Sequence, residues 1–317
     1  MSVRPTVRRP MRLSRSPVGS MLFAAAAMVA ACGGPSATPS GSTGIGSDSD
    51  ALRVVTTTTV FADIVKAVGG RRTSVQSIIP SGVGPEDYEP KPQDARTLAT
   101  AQLIVSNGVG LDDFLDRLLT STGAGDATRL VLGEGLPAIE VDGEPNPHFW
   151  LDPSIVKTGY LPKIVAALST ADPADKSMFE ANVASYSTQL DALDAELLAE
   201  VQTIPEANRK LVTFHDAFPY FAKHFGFELI GVVVANVGQE PTPAELADLV
   251  AKVKAAHVKA VFSEAQFNPK LSQTLAEEAG ISQVVTTLYN DALGPAPADS
   301  YLGMMRWNMQ HIVEALR

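Results

Sequence analysis

The sequence predicts an α/β protein of two small parallel-sheet lobes bridged by one long helix. Three observations carry this reading. Two separate series of short β-branched runs alternate with amphipathic segments, and an uninterrupted helical pattern lies between them. The length of 317 residues, at roughly 100–200 residues per domain, leaves room for two modest cores once the N-terminus is set aside.

The first series, within residues 51–170, opens with the β-branched run LRVVTTTTV, Leu52–Val60. It passes into FADIVKAVGG, where Phe61, Ile64, Val65 and Val68 fall at helical spacing before a glycine stop. Val75–Pro80 reads as a strand, Asp94–Ala101 as a helix, Leu103–Gly108 as a strand and Asp112–Leu119 as a helix. Strands and helices alternating in this way imply a parallel sheet with helices on its faces. Next, Ala171–Ile204 carries the longest helical signal, with Asp172-Pro173 as a cap-then-proline start. Phe179, Val183, Tyr186, Leu190, Leu193, Leu197 and Val201 recur at spacings of three and four, and no proline intervenes before Pro205. Some thirty helical residues extend about 45 Å, which suits a strut over residues 171–205. A coiled-coil partner is the alternative, disfavoured by a single seam in a chain otherwise built of βα units. The second series, residues 206–317, reads as strands at Leu211–Phe214, Leu229–Val234, Ala260–Ser263 and Val284–Leu288. They alternate with helices at YFAKHF, Pro243–Ala256 and Lys270–Gly280, and a last helix closes the chain.

The first 31 residues read as an export signal: five arginines flank the apolar run Met21–Ala31, which is too short to span a bilayer. That run ends at Val29-Ala30-Ala31-Cys32, which resembles a bacterial lipoprotein signal-peptidase site with Cys32 as the lipidated residue. Cys32 is the only cysteine, so no intramolecular disulfide forms. The plainer alternative is a cleaved secretory signal that happens to contain a cysteine; lipidation would instead tether an exported domain to the membrane. Residues 32–50 then form a Gly/Ser/Pro/Thr-rich flexible tether. Cleavage before Cys32 changes the balance from 25 basic and 35 acidic residues to 20 against 35, a net −15. This disfavours nucleic acid as a partner and is compatible with a cationic ligand.

In an open parallel α/β sheet, function collects in the loops at the carboxyl ends of strands. Glu86 and Asp87 occupy such a place after the strand ending at Pro80, and His148 lies in EPNPHFWLDP. His215 directly follows the strand Leu211–Phe214, and Asp291 follows Val284–Leu288. Two imidazoles and two carboxylates converging from two lobes suit a divalent transition metal. Each residue also has a plain structural reading: a turn hydrogen bond for His148, a satisfied histidine opening a helix for His215, a cap for Asp291, solvated turn positions for Glu86 and Asp87. His224, His257 and His311 are read as structural.

Several stretches in order, TTTTVFADIVKAVGG, PEDYEPKPQDARTLATAQLIVSNGVGLDDFLDRLL, NPHFWLDP, TFHDAFPYFAKHFG, VFSEAQFNPK and YLGMMRWNMQHIVEAL, carry a resemblance. The chain is similar to the metal-binding lipoproteins of bacterial ABC importers for manganese, zinc or iron, the cluster A-I solute-binding proteins, over nearly everything after the tether. The resemblance implies a periplasmic-binding-protein-like receptor with the ion between two lobes, and ligands at His148, His215 and Asp291. The family's usual first histidine is replaced here by Glu86, with Asp87 beside it as the alternative carboxylate. It also implies an ABC permease as partner, a lipid-anchored extracytoplasmic location and a monomer. The cargo would be one divalent ion, Mn2+ or Zn2+, with Fe2+ as a third candidate. The His-rich loop of zinc-specialised members is missing: Thr120–Asn146 contains no histidine. Oxygen-rich coordination suits manganese or ferrous iron, whereas zinc binds most such sites more tightly.

A non-enzymatic receptor is therefore the expected function. The rival is a zinc hydrolase, which needs an open coordination position and a general base; no His-Glu-x-x-His helix is present. A surface adhesin is a third class, without an adhesive repeat to support it.

Overall fold

The computed structural model describes residues 51–86, 88–122, 127–235 and 237–317. The export signal, Cys32, the tether and Asp87 lie outside the described residues. The chain order is β1 (Leu52–Thr56), α1 (Thr59–Gly69), β2 (Thr73–Ser77), α2 (Pro92–Ala99), β3 (Leu103–Ser106), α3 (Phe114–Thr122) and β4 (Thr128–Val131). There follow the hairpin β5 (Glu140–Val141) and β6 (Glu144–Pro145), α4 (Pro153–Ile155), a π-helical turn Val156–Tyr160, α5 (Leu161–Ala171) and α6 (Lys176–Val201). The last part runs β7 (Lys210–Thr213), α7 (Pro219–Phe225), β8 (Glu228–Val232), α8 (Pro243–Ala255), β9 (Ala260–Glu264), α9 (Lys270–Ala279), β10 (Gln283–Leu288) and α10 (Tyr301–Leu316).

The N-terminal sheet is parallel throughout, in the order β2-β1-β3-β4, with Val54 opposite both Val75 and Leu103, and Val105 opposite Leu130. Central strand β3 is buried at every position, as a strand covered on both faces must be. In the C-terminal half β7 pairs in parallel with β8 and β9 with β10, while β7 runs alongside β9. Both halves therefore deliver the carboxyl ends of parallel strands to loops, as the alternating sequence pattern predicts.

The main core does not stop at either sheet. It runs from Val54, Phe61 and Ile64 through the α6 residues Phe179, Leu190, Leu193 and Leu197 to Phe221, Met305 and Ile312. The apolar seam read in the sequence is thus the spine on which both halves pack. Smaller cores cover the outer faces, one around Ile79, Leu98 and Phe114 and one around Val212, Val253 and Leu275.

The long helix is shorter than the pattern suggests. A proline disfavours the α conformation in the residue before it, and Asp172 sits at φ −135° and ψ 80°, so α5 ends at Ala171. A 3-10 turn, Pro173–Asp175, intervenes before α6 begins. The Asp172 carboxylate makes no cap bond and takes Arg72 at 3.1 Å instead. The 26 residues of α6 extend about 39 Å. No helix among the described residues is long and apolar enough to cross a membrane.

Candidate metal centre

Four side chains predicted from the sequence meet at one point. Glu86, His148, His215 and Asp291 each present a potential ligand atom, and these atoms lie within 4.8 Å of one another. His148 Nε2 is 3.4 Å from Asp291 Oδ1 and 3.7 Å from Glu86 Oε1; His215 Nε2 is 3.7 Å from Asp291 Oδ2 and 3.8 Å from Glu86 Oε1. Bonds of roughly 2.0–2.2 Å to a tetrahedral ion would set ligand atoms about 3.3–3.6 Å apart; the nitrogen–oxygen spacings are near this, and the set as a whole, spanning up to 4.8 Å, would close in slightly around an ion.

Each side chain is positioned by its own segment. His148 is locked by Asn146, whose Oδ1 accepts from the His148 backbone N–H at 3.0 Å and lies 3.1 Å from its Nδ1. Asn146 Nδ2 in turn donates to the Asp216 carbonyl at 2.7 Å. Asn107, past the end of β3, donates to the Pro147 carbonyl at 3.0 Å. The Trp150 indole donates across to the Asn290 carbonyl at 2.7 Å, and the Tyr301 hydroxyl donates to the Trp150 carbonyl at 2.7 Å. The stiffness that prolines and a Phe-Trp pair suggest in the sequence is therefore a network of buried bonds.

His215 leaves the end of β7, with Thr213 Oγ1 donating to its carbonyl at 2.9 Å and Phe267 edge-on to its ring at 5.2 Å. Asp291 follows β10; Gln266 Nε2 donates to its Oδ2 at 3.0 Å. Glu86 reaches in from the loop after β2, where Gly84 lets the backbone pass close. A Cβ there would stand 3.2 Å from Glu86 Oε2 and 3.5 Å from Gln266 Nε2.

Asp291 is fully buried, His148 and His215 are 4% and 3% exposed, and Glu86 faces a cleft of about 410 Å³ with its side chain 25% exposed. Asp142, Glu144 and Asp216 also line that cleft. Burial raises the Asp291 carboxyl above its ordinary value, with the Glu86 charge adding to it. Burial also pushes Glu86 upward, but the neighbouring imidazoles of His148 and His215 outweigh it, leaving Glu86 lowered. Burial opposes protonation of both imidazoles. For His148 this is outweighed by Asp291 and Glu86, so its pKa is raised. His215 is pushed up to about 10, chiefly against that burial by the charge and hydrogen-bonding of Glu264, with Asp291 and Glu86.

Two atoms pointing into the cluster, His148 Nε2 and Asp291 Oδ1, are buried and have no hydrogen-bond partner. An unpaired buried polar atom costs roughly 1–3 kcal/mol; here a ring nitrogen and a carboxylate oxygen face each other at 3.4 Å with bonding capacity left over. Two nitrogen and two oxygen donors suit a divalent transition metal. Protons and such an ion would compete for the same nitrogens.

Residues 54–315 match the family described as zinc-uptake complex component A, periplasmic (ZnuA). The chain belongs to this family. The manganese-binding lipoprotein MntA of Halalkalibacterium halodurans is 32% identical over 277 residues, covering 86% of this chain and 91% of its own. The iron ABC transporter substrate-binding lipoprotein MtsA of Streptococcus pyogenes is 29% identical over 282 residues, covering 84% and 90%. The periplasmic zinc-binding protein TroA of Treponema pallidum is 28% identical by structure, with a TM-score of 0.77 over 84% of this chain and 99% of that one. The family and its relatives place this chain among substrate-binding components of metal ABC importers, and the structural match to TroA bears out the α/β fold.

The other three histidines lie elsewhere. His224 sits between Asp152 and Asp194, His257 follows α8 at φ 53°, and His311 packs tilted against Trp307 with ring centres 4.1 Å apart. Sequence reasoning missed the residues behind the four: Asn146, Gln266, Asn290 and Glu264. The available signal was a polar residue at the buried end of a strand, as Glu264 is in AVFSE, where every position is buried.

Proposed function

We propose that this chain is an extracytoplasmic receptor that captures a divalent transition metal between its lobes through Glu86, His148, His215 and Asp291 and delivers it to an ABC permease. The supporting observation is the set of four donor atoms within 4.8 Å, two of them buried without partners. Residues 1–31 would be the export signal, Cys32 the lipidated residue of a tether over 32–50, and residues 51–170 and 206–317 the lobes on either side of a 171–205 strut. Cargo, in this reading, is Mn2+ or Zn2+, with Fe2+ the third candidate.

Capture follows from the donors' chemistry. The acidic rim of Asp142, Glu144 and Asp216 draws a cation toward the cleft, and the paired carboxylates Glu86 and Asp291 balance its charge. Neutral imidazoles supply the two nitrogens, so binding releases protons. In a tetrahedral site all four positions would be taken by protein, with none left for a reacting water, which favours a carrier over a hydrolase. The test is elemental analysis of the protein purified from its own host beside a Glu86→Ala variant. One equivalent of metal in the wild-type chain and a substantial loss in the variant are expected. Metal-dependent turnover of an ester, peptide or phosphoester that disappears in His215→Ala would replace the receptor with a hydrolase.

A further inference from the structure

Beyond the four candidate ligands, one fully buried carboxylate has an imidazole as its only ion-pair partner among the described residues. Glu264 ends β9 at 1% exposure, where a carboxylate is costly unless it is paired. Among the described residues no lysine or arginine pairs with it, and its Oε2 is buried with no hydrogen-bond partner. Its Oε1 lies 3.1 Å from His215 Nδ1, on the side of the ring away from the cluster, and 3.4 Å from Asn290 Nδ2. The ring N–H does not point squarely at that oxygen, so the contact is one of charge more than of a well-aligned hydrogen bond. The other imidazole is backed differently. His148 Nδ1 faces only the neutral amide oxygen of Asn146, at 3.1 Å.

We propose that Glu264 is an affinity-setting residue of the metal site, acting through His215: its buried carboxylate orients the imidazole with Nδ1–H outward and Nε2 toward the ion, and its charge makes that nitrogen a stronger donor. The inference rests on the receptor reading above. Its physical basis is that an acceptor behind a metal-bound imidazole fixes the ring and increases its basicity. A buried charge at this range acts through a medium less polar than water, so it is felt at the ion as well as at the ring. The two histidines are then unequal partners. His148 is backed by an amide oxygen and His215 by a carboxylate oxygen. Glu264 is a positioning residue and touches no cargo.

The test compares the full chain with its Glu264→Gln and Glu264→Asp variants, titrated with Mn2+ alone and with Zn2+ alone in competition with a chelator. Glu264→Gln keeps the shape and removes the charge; Glu264→Asp keeps the charge and draws it back. The expected order of affinity is wild type, then Glu264→Asp, then Glu264→Gln, the last weaker by ~10- to 100-fold. Affinity of Glu264→Gln equal to that of wild type overturns the proposal, and so does equal loss in both variants, which would make the effect one of packing. Should Glu264→Gln fail to fold, NMR of ¹⁵N-histidine in the Zn2+-loaded wild-type chain decides. A slowly exchanging Nδ1–H on His215 with Nε2 bound supports the assignment, and coordination through Nδ1 overturns it. Failure of the wild-type chain to take up either ion would instead refute the receptor reading itself, so the two failures are distinguishable.

Discussion

His224 and the pair His148 and His215 are all enclosed by carboxylates, yet the enclosures differ in kind. His224 Nδ1 lies 3.2 Å from Asp152 and its Nε2 lies 2.5 Å from Asp194, so both ring nitrogens are engaged. The three residues come from α7, the segment capping α4 and the strut α6. In the metal centre the Nε2 atoms of His148 and His215 stand 3.4–3.8 Å from the Glu86 and Asp291 oxygens, beyond good hydrogen-bond length, and His148 Nε2 and Asp291 Oδ1 stay unpaired. One cluster is closed and joins segments. The other is open and has bonding capacity left for a cation. Composition does not separate them, but the satisfaction of each polar atom does.

Removing a nitrogen from the open cluster should have the largest effect. His215→Ala is expected to weaken Mn2+ and Zn2+ binding by at least ~100-fold, or ~2.7 kcal/mol, as read by chelator competition. His224→Gln should leave affinity near that of wild type. Comparable losses in both variants would erase the distinction between open and closed clusters. The open cluster should also answer to pH. Both of its imidazoles have raised pKa values, His215 to about 10, so each holds a proton to higher pH than a free imidazole does and must lose it when the ion binds. Apparent affinity should therefore fall on acidification, by up to ~10-fold per pH unit for each proton displaced. A flat profile between about pH 6 and about pH 8 would mean that the imidazoles are not ligands.

Thermal melting sharpens the comparison from the other side. Free metal at ~100 times its dissociation constant should stabilise the folded chain by ~2.7 kcal/mol. Calorimetry should show that upward shift in wild type and in His224→Gln and should show none in a His148→Ala/His215→Ala double variant. A shift that survives in the double variant would place the ion elsewhere.

Much of the open cluster was legible because its residues follow strands that the alternating pattern already marks. His215 lies directly beyond β7, Asp291 just beyond β10 and Glu86 in the loop after β2, while the resemblance of NPHFWLDP and PEDYEP added weight to His148 and favoured Glu86 over Asp87. The closed cluster was not legible. Nothing in YFAKHF announces Asp152 or Asp194, which reach His224 only once α6 and α7 pack together. Glu264 escaped for a related reason: a glutamate ending a short strand reads as an exposed terminus until the sheet shows every residue of β9 to be buried. The strut was read from Phe179, Leu190 and Leu197, but its true start at Lys176 depended on the conformation that Pro173 imposes on Asp172. β4 and α5 lacked clear start signals. Leu161–Ala171 opens on a π-helical turn, a geometry with no sequence signature comparable to a cap.

The closed cluster carries its own prediction, of intermediate size. The hydrogen bond to Asp152 raises the His224 pKa most; burial opposes it, and Asp194 adds to it, giving about 9. A folded-state pKa above the ordinary 6.5 means that the bonus is complete below about pH 6.5 and fades as pH rises through about 9. His224→Gln should therefore cost ~1–3 kcal/mol in urea unfolding near neutral pH, and the gap to wild type should close in alkali. A gap that widens with pH would show that the imidazolium is not what the carboxylates hold.

The smallest effect is expected where a satisfied ion pair faces solvent. Arg306 of α10 grips both oxygens of Glu196 on α6, with Nε at 3.1 and 2.9 Å, but the two side chains are 44% and 42% exposed. Water and salt screen such a pair, and holding two long side chains still offsets much of the attraction, so Arg306→Ala should cost only ~0.2–1 kcal/mol. It should leave metal affinity unchanged, because α6 is already fixed by Leu193 and Leu197 in the main core. A measurable drop in Mn2+ affinity from Arg306→Ala would mean that the seating of α10 on the strut is transmitted to Asp291 through the loop after β10. Satisfied contacts far from the ion would then tune it, and the separation between joining clusters and binding clusters would hold for chemistry but not for energetics.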